Sequence, residues 1–310
     1  MLQALRKKLR SVPFLHGFYM RIKRVYTGEL VGMTSKSEQE YFGNYGKNIY
    51  QGKGEIVDLG CWLGSTTIPL VKGLLQNPQL IASKRKVYAY DAFIWYDSMT
   101  DAVAGTELVG KYRDGDSFLD EYQRRTQEFA EFIEIRAGDL KEIGWNGAEI
   151  EFLLVDAMKN WELANAIIKD FYPHLIPLES LVLHQDFAHY FTVWIHLLQW
   201  KFRDYFEFVE EIPKGASVVF RNIKKIPAEM IKNYSFADFL DEDINNAFDY
   251  SLGFVSDEKK ANILAAKAMC FIFLERISDA QQLLQDYSQQ GVLIKDDLLT
   301  IEQLINQNKD

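Results

Sequence analysis

Asp58, Asp91, Asp139, Asp156 and Asp186 each fall at or just beyond the end of an apolar run. Carboxylates at corresponding ends of successive parallel strands converge on one rim of a sheet, where open α/β folds bind their ligands. Asp91 can accept the protons of a vicinal diol such as ribose, and Asp139 those of a ring amino group. Asp156 and Asp186 follow neighbouring runs, so their carboxylates can meet. Two buried acids side by side repel and raise each other's pKa unless a cation sits between them. Magnesium suits such a pair, because it takes hard oxygen ligands, needs only one or two carboxylates and leaves positions for water or substrate. Gln185 can add a neutral oxygen, and His189, one turn onward, is a candidate base. His184 alternates to the other side of its strand and is read as core.

The first acid opens the turn Asp58-Leu59-Gly60-Cys61-Trp62-Leu63-Gly64-Ser65. Its Gly-x-x-x-Gly spacing lacks the third glycine of a dinucleotide fingerprint and the Lys-Ser/Thr of a phosphate loop, which disfavours phosphate cradling. An acid followed by this spacing resembles the first motif of class I S-adenosylmethionine (SAM)-dependent methyltransferases, in which the acid helps hold the cationic end of the cofactor. By that resemblance Asp58, Gly60, Trp62, Gly64, Ser65, Asp91 and Asp139 are the cofactor-binding set.

The elements that must carry these residues alternate along the chain. Ser35-Lys36-Ser37-Glu38 has the form of a capping box and predicts a helix to about Tyr50. Strands are expected at Glu55–Leu59, Lys86–Tyr90, Ile133–Arg136, Glu151–Val155 and Ser180–Leu183, with helices between them. Trp95 to Gly115 reads as a long loop and a candidate lid over the acceptor, with Trp95, Tyr96 and Met99 near its start. Phe206–Ile212 and Ser217–Arg221 are separated by only Pro213-Lys214-Gly215-Ala216, which permits only an antiparallel pair. The pattern predicts a doubly wound, seven-stranded, mostly parallel α/β sheet with an antiparallel edge hairpin. Three regions follow: a basic leader at 1–34, a core domain at 35–226, and a helical region at 227–310 containing a tetratricopeptide-like hairpin at 257–290. One such unit cannot bury its own apolar face, so it is expected to pack on the sheet or on a second copy of the chain.

The order of segments sharpens the resemblance. Gly60-Cys61-Trp62-Leu63-Gly64, Tyr90-Asp91-Ala92-Phe93, Gly138-Asp139-Leu140-Lys141, Leu154-Val155-Asp156, Phe171-Tyr172-Pro173-His174-Leu175 and Val182 to Asp186 resemble the macrocin O-methyltransferase family over residues 52–222. That family methylates sugar hydroxyls of natural products. The resemblance implies SAM, an acceptor that is a sugar, glycan or natural product, and metal ligation by Asp156 and Asp186, with Gln185 standing where the family has an acid. Asp156-Ala157-Met158-Lys159 resembles catechol O-methyltransferase, whose metal-binding Asp is also followed by a lysine three residues on. By that comparison Lys159 is a candidate general base, its pKa lowered by the neighbouring metal and sulfonium charges.

Bulk properties narrow the classes. The 310 residues are 48% hydrophobic and carry a net charge of −9, which disfavours a nucleic-acid partner. Residues 1–24 hold seven bases and no acid, leaving −16 on the rest. With Leu2, Leu5 and Leu9 on one helical face beside them, these bases read as a docking helix with solvated charges, or as a peripheral contact with an anionic membrane surface or a partner. Two cysteines, Cys61 and Cys270, are too few for a disulfide framework, and a cytoplasmic location is expected. The reading is Mg-assisted O-methylation; the alternatives are a hydroxylase of the cephalosporin-hydroxylase type and a non-catalytic methyltransferase-like module.

Overall fold

The computed structural model describes residues 19–24, 28–145, 147–289 and 296–307. Leu2, Leu5 and Leu9, with Arg6, Lys7, Lys8 and Arg10, lie outside the described residues. Seven strands form one sheet: β1 Glu55–Leu59, β2 Val87–Asp91, β3 Ile133–Ala137, β4 Ile150–Val155, β5 Leu181–His184, β6 Phe206–Glu211 and β7 Val218–Asn222. Their order is β3-β2-β1-β4-β5-β7-β6. The pairs β1/β4, β2/β3 and β4/β5 are parallel, while β7 runs antiparallel to both β5 and β6. This is the expected doubly wound, mostly parallel arrangement with an antiparallel edge hairpin.

The described residues form two compact units: those up to Gly52 together with Gly60–Asp139, and Lys53–Leu59 together with Leu140 onward. In the first, the Ser35 capping box is present. Ser35 Oγ accepts from Glu38 N at 3.2 Å, and Ser35 N donates to the Glu38 carboxylate at 2.7 Å. The helix Lys36–Asn44 passes into a wider π-turn at Tyr45–Ile49. The expected helix after β1 begins at Thr67, two residues later than the sequence suggests, because Gly64 to Thr66 complete the turn. The helix expected between β2 and β3 spans Leu119–Thr126 and runs into a tighter 3-10 segment at Gln127–Phe132.

In the second unit β1, β4 and β5 end level, since Leu59 stands opposite Val155 and Val155 opposite His184. Every residue of β4 is buried, as expected of a central parallel strand. Its one acid, Glu151, accepts from the Lys53 and Gly54 amides at 2.6 and 3.2 Å, which satisfies the buried charge.

The C-terminal helices Asp241–Leu252 and Asp257–Phe273 belong to this unit and dock on its elements. Ser256 N and Lys259 Nζ each lie 2.6 Å from the Glu211 carboxylate, and Lys259 Nζ also donates to the Ile212 carbonyl at 2.7 Å. Trp200 Nε1 donates to Asp243 at 3.2 Å. The start of the 257–290 hairpin thus packs on sheet elements of the same chain. No helix among the described residues is long and apolar enough to cross a membrane.

Two histidines are enclosed in this core. Ser251 Oγ donates to the Ala247 carbonyl at 2.9 Å, so it accepts from His196 Nδ1 at 3.0 Å. His184 packs its ring on Phe220 and is 2% exposed, in agreement with its reading as core. Burial pushes His184 down to about 4, and burial together with His184 pushes His196 down to about 3. Both rings are therefore neutral in the folded chain, whereas in the unfolded chain they take up protons below their ordinary value of 6.5. Stability is full above that value and is lost as pH falls from there towards the folded values. Each histidine is expected to remove about 2 kcal/mol by pH 5. Thermal melts between pH 7.5 and 5 should show this decline, and His196→Asn should flatten it.

Candidate active site

The glycine turn is held by the end of β2. Gly60 N and Cys61 N donate to the Tyr90 carbonyl at 2.8 and 3.2 Å. Gly64 N then returns to the Cys61 carbonyl at 2.8 Å, and Ile68 N to that of Gly64 at 2.9 Å, starting the helix. Gly60 and Gly64 sit at φ +91° and +83°, where a side chain is disfavoured. Trp62, between them, is also left-handed, at φ +41°.

Asp91 stabilises that strained residue. Its Oδ2 accepts from Trp62 N at 2.9 Å, and its Oδ1 accepts from the amide of Phe93, a second left-handed residue at φ +53°, at 2.8 Å. The ribose role expected of Asp91 is thus joined to a bracing role that the sequence does not reveal. The Trp62 indole is buried, and its N–H has no hydrogen-bond partner among the described residues. Ser65 is buried and Asp139 lies on the exposed turn after β3. Braced amides, a carboxylate at the strand end and a buried indole donor fit a nucleoside cofactor better than a phosphate group.

Sequence reasoning missed the segment that crosses this turn. A Cβ on Gly32 would lie 2.1 Å from Ser65 Oγ, and Thr34 Oγ1 donates to the Ser65 carbonyl at 3.5 Å. Only glycine allows that approach; its signal was a glycine just ahead of the capping box. The 95–115 segment is also more ordered than a loop. Trp95 N donates to Asp116 O and Phe118 N to Phe93 O, at 2.8 and 2.9 Å, closing its base. Trp95 is buried and stacks on Tyr112 at 5.3 Å, with Trp62 at 6.0 Å on another side. Tyr96 alone among the expected lid aromatics is exposed. The Arg24 guanidinium grips the segment from outside, donating to the Ala102 and Ala104 carbonyls at 2.6 Å each.

The acids of the second unit form another cluster. Asp156 N donates to the Leu59 carbonyl at 2.8 Å, fixing the turn after β4. Lys159 Nζ lies 2.6 Å from Asp156 Oδ1 and also contacts Asp186 Oδ2. Burial, with Asp186 and Asp58 nearby, pushes the Asp156 carboxyl up against the pull of Lys159. Burial disfavours the Lys159 charge, but Asp156 and Asp186 outweigh it and hold the ammonium well above the ordinary lysine value. The expected lowering of Lys159 is therefore reversed, because its nearest charges are two carboxylates. Asp58 is fully buried on β1.

Gln185 is buried, and its Oε1 has no partner among the described residues. His189 stacks on Tyr190, and its Nδ1 accepts from Phe191 N at 3.3 Å, which assigns the proton of the neutral ring to Nε2. Thr192 Oγ1 donates to the Asp186 carbonyl at 2.7 Å. An aromatic wall flanks the cluster: Trp194 Nε1 donates to Met158 O at 2.5 Å, and Trp194 lies near Trp161, Phe191 and Phe273. Phe273 belongs to the C-terminal helix Asp257–Phe273, so that region reaches the neighbourhood of Lys159.

The donor set does not fit a divalent ion. The position between the two carboxylates is taken by an ammonium, and among the described residues no three His, Cys, Asp or Glu side chains converge as metal ligands.

A scan against protein-family models gives no match for this chain, and a search of curated proteins gives none either. Among solved structures, the O-methyltransferase NovP aligns at 16% identity over 63% of this chain and 83% of its own, with a TM-score of 0.48. A SAM-dependent O-methyltransferase from Thermotoga maritima aligns at 10% identity over 66% of this chain and 72% of its own, with a TM-score of 0.39. A TehB-like SAM-dependent methyltransferase from Corynebacterium glutamicum aligns at 12% identity over 67% and 97%, with a TM-score of 0.36. These are likenesses of fold. The chemistry has to be read from this chain's own side chains.

One charge cluster fixes the 95–115 segment from inside. Glu121 is 1% exposed and receives Arg124, Lys111 and Arg125 at 2.5 to 3.0 Å. Burial alone would raise its carboxyl, but those three cations bring it down to about 2. Because the folded value is depressed, this contribution is present above the ordinary carboxylate range and is lost as pH falls through it towards 2. Glu121→Gln leaves the cations without their buried partner and should cost about 3 kcal/mol. A lower melting temperature and faster proteolytic cutting within 95–115 would report it.

Proposed function

We propose that this chain is a SAM-dependent methyltransferase acting on a hydroxyl group. The observation that carries the reading is the glycine turn after β1, braced by Asp91, in a sheet of order β3-β2-β1-β4-β5-β7-β6. Gly60, Trp62, Gly64 and Ser65 would border the cofactor, Asp91 and Asp139 would accept hydroxyl and amino protons, and Asp58 would favour its cationic end. When bound, SAM supplies a methyl group on a sulfonium: the oxygen–carbon bond forms as the carbon–sulfur bond breaks, and the electron pair stays on sulfur.

This chain's residues must then place the acceptor oxygen and remove its proton. The Lys159 ammonium can donate to the acceptor oxygen, and a carboxylate of the Asp156/Asp186 pair can receive the proton. The upward push on Asp156 suits it to that task, since a base works best when its pKa lies near the working pH. Lys159 thus changes from the expected base to a charged donor. His189, with Nδ1 engaged by a backbone amide, is assigned a supporting place beside the acceptor. Alignment of the reacting atoms can contribute roughly 7–11 kcal/mol.

The aromatic wall of Trp161, Phe191 and Phe273 would receive the apolar face of the acceptor. A sugar, glycan or other natural product remains the proposed class, on the strength of the family resemblance.

Calorimetry should detect SAM binding to the full chain, and Asp91→Ala should weaken it at least tenfold. No heat of SAM binding to the folded protein would sink the reading. Asp156→Asn should retain SAM binding yet lose about 100-fold or more in formation of S-adenosylhomocysteine against a glycan or small-molecule acceptor panel. Unchanged turnover in that variant would remove the carboxylate pair from the mechanism.

A further inference from the structure

We propose that the Lys159 ammonium permanently fills the place between Asp156 and Asp186 that a divalent cation would otherwise take, so that this site binds no metal. The inference concerns the same site as the proposed methyl transfer, but its test reads ion binding and needs neither SAM nor turnover.

Three observations carry it. The first is position: Lys159 Nζ is within hydrogen-bond reach of both carboxylates at once, 2.6 Å from Asp156 and in direct contact with Asp186. A cation bridging those oxygens would have to share their lone pairs with the ammonium or expel it. The second is how the lysine is delivered. Lys159 N donates to the Ala157 carbonyl at 2.9 Å, and Asn160 caps the next helix by accepting from Leu163 N at 2.8 Å. The backbone on both sides of Lys159 is thereby fixed, and only its flexible stem has to reach three positions back along the chain. The third is charge. Gln185, the residue beside Asp186, is a buried neutral amide and adds no negative charge to the pair. Two carboxylates and one ammonium carry a net charge of about −1, against −2 for the pair without the lysine, which lowers the attraction for a hard dication.

The lysine would do for the acceptor what an ion does elsewhere: supply a fixed positive charge and a donor to its oxygen. It would do so with a covalently attached group that no chelator can remove. The consequence reaches beyond this chain's wild-type behaviour, because removing the lysine should uncover a latent ion site.

The experiment titrates the full chain with Mn2+, following free Mn2+ by electron paramagnetic resonance, and repeats the titration with Mg2+ by calorimetry. The wild type should show no saturable binding of either ion at millimolar concentration. Lys159→Met, checked for folding by circular dichroism, should bind Mn2+ at least tenfold more tightly, and adding Asp156→Asn to it should abolish the gain. Saturable Mn2+ binding by the wild type that disappears in Asp156→Asn would overturn the proposal whatever the other variants do. A folded Lys159→Met protein that binds Mn2+ no better than the wild type would overturn it as well. If Lys159→Met fails to fold, the wild-type and Asp156→Asn titrations decide the question alone.

Discussion

The carboxylate of Asp91 receives the amides of Trp62 and Phe93, two residues with side chains in a backbone region that glycine normally occupies. Each such residue costs of order 1–2 kcal/mol and persists only where its surroundings compensate. One side chain supplies that compensation on both sides of the β2 end. The shape of the turn between Gly60 and Gly64 follows from it, and so does the path by which the chain leaves β2 towards Trp95. A charged acceptor is suited to this, since hydrogen bonds to an ionised group are shorter and stronger than those between neutral partners.

The second unit solves a different electrostatic problem. Asp156 and Asp186 stand at the ends of strands forced level by the β4/β5 register, and Asp58 adds negative potential from β1. Buried acids in such proximity need a counter-charge. Lys159 provides one from three positions along the chain, at the mouth of a capped helix. The stem of the lysine is partly exposed while its tip lies between the carboxylates.

Much of this was legible in the sequence, for reasons that are local. The strand acids and the glycine spacing report on adjacent backbone, and the short link between β6 and β7 dictates an antiparallel turn. The capping box at Ser35 was readable because it is written in four consecutive residues. What escaped detection depends on distant partners. The direction of the Lys159 shift turns on which charge is nearest: the resemblance to catechol O-methyltransferase implied a metal and a sulfonium, whereas the ammonium lies against the Asp156 and Asp186 carboxylates themselves. The order of the 95–115 segment comes from Trp95, Tyr112 and Trp62 meeting across the fold, and from Arg24 reaching two carbonyls about eighty positions away. No window of sequence contains those pairs. The close approach of Gly32 to Ser65 is of the same kind.

The bond between His196 and Ser251 gives the C-terminal helices an address. Apolar surfaces can slide by a helical turn at small cost, since one leucine serves nearly as well as the next. A hydrogen bond sealed inside that contact cannot slide, because a shift of one turn would leave both polar atoms stranded in a dry environment. The tail's docking is thus specified in register as well as in attraction, and Phe273 arrives beside Trp194 as a matter of alignment.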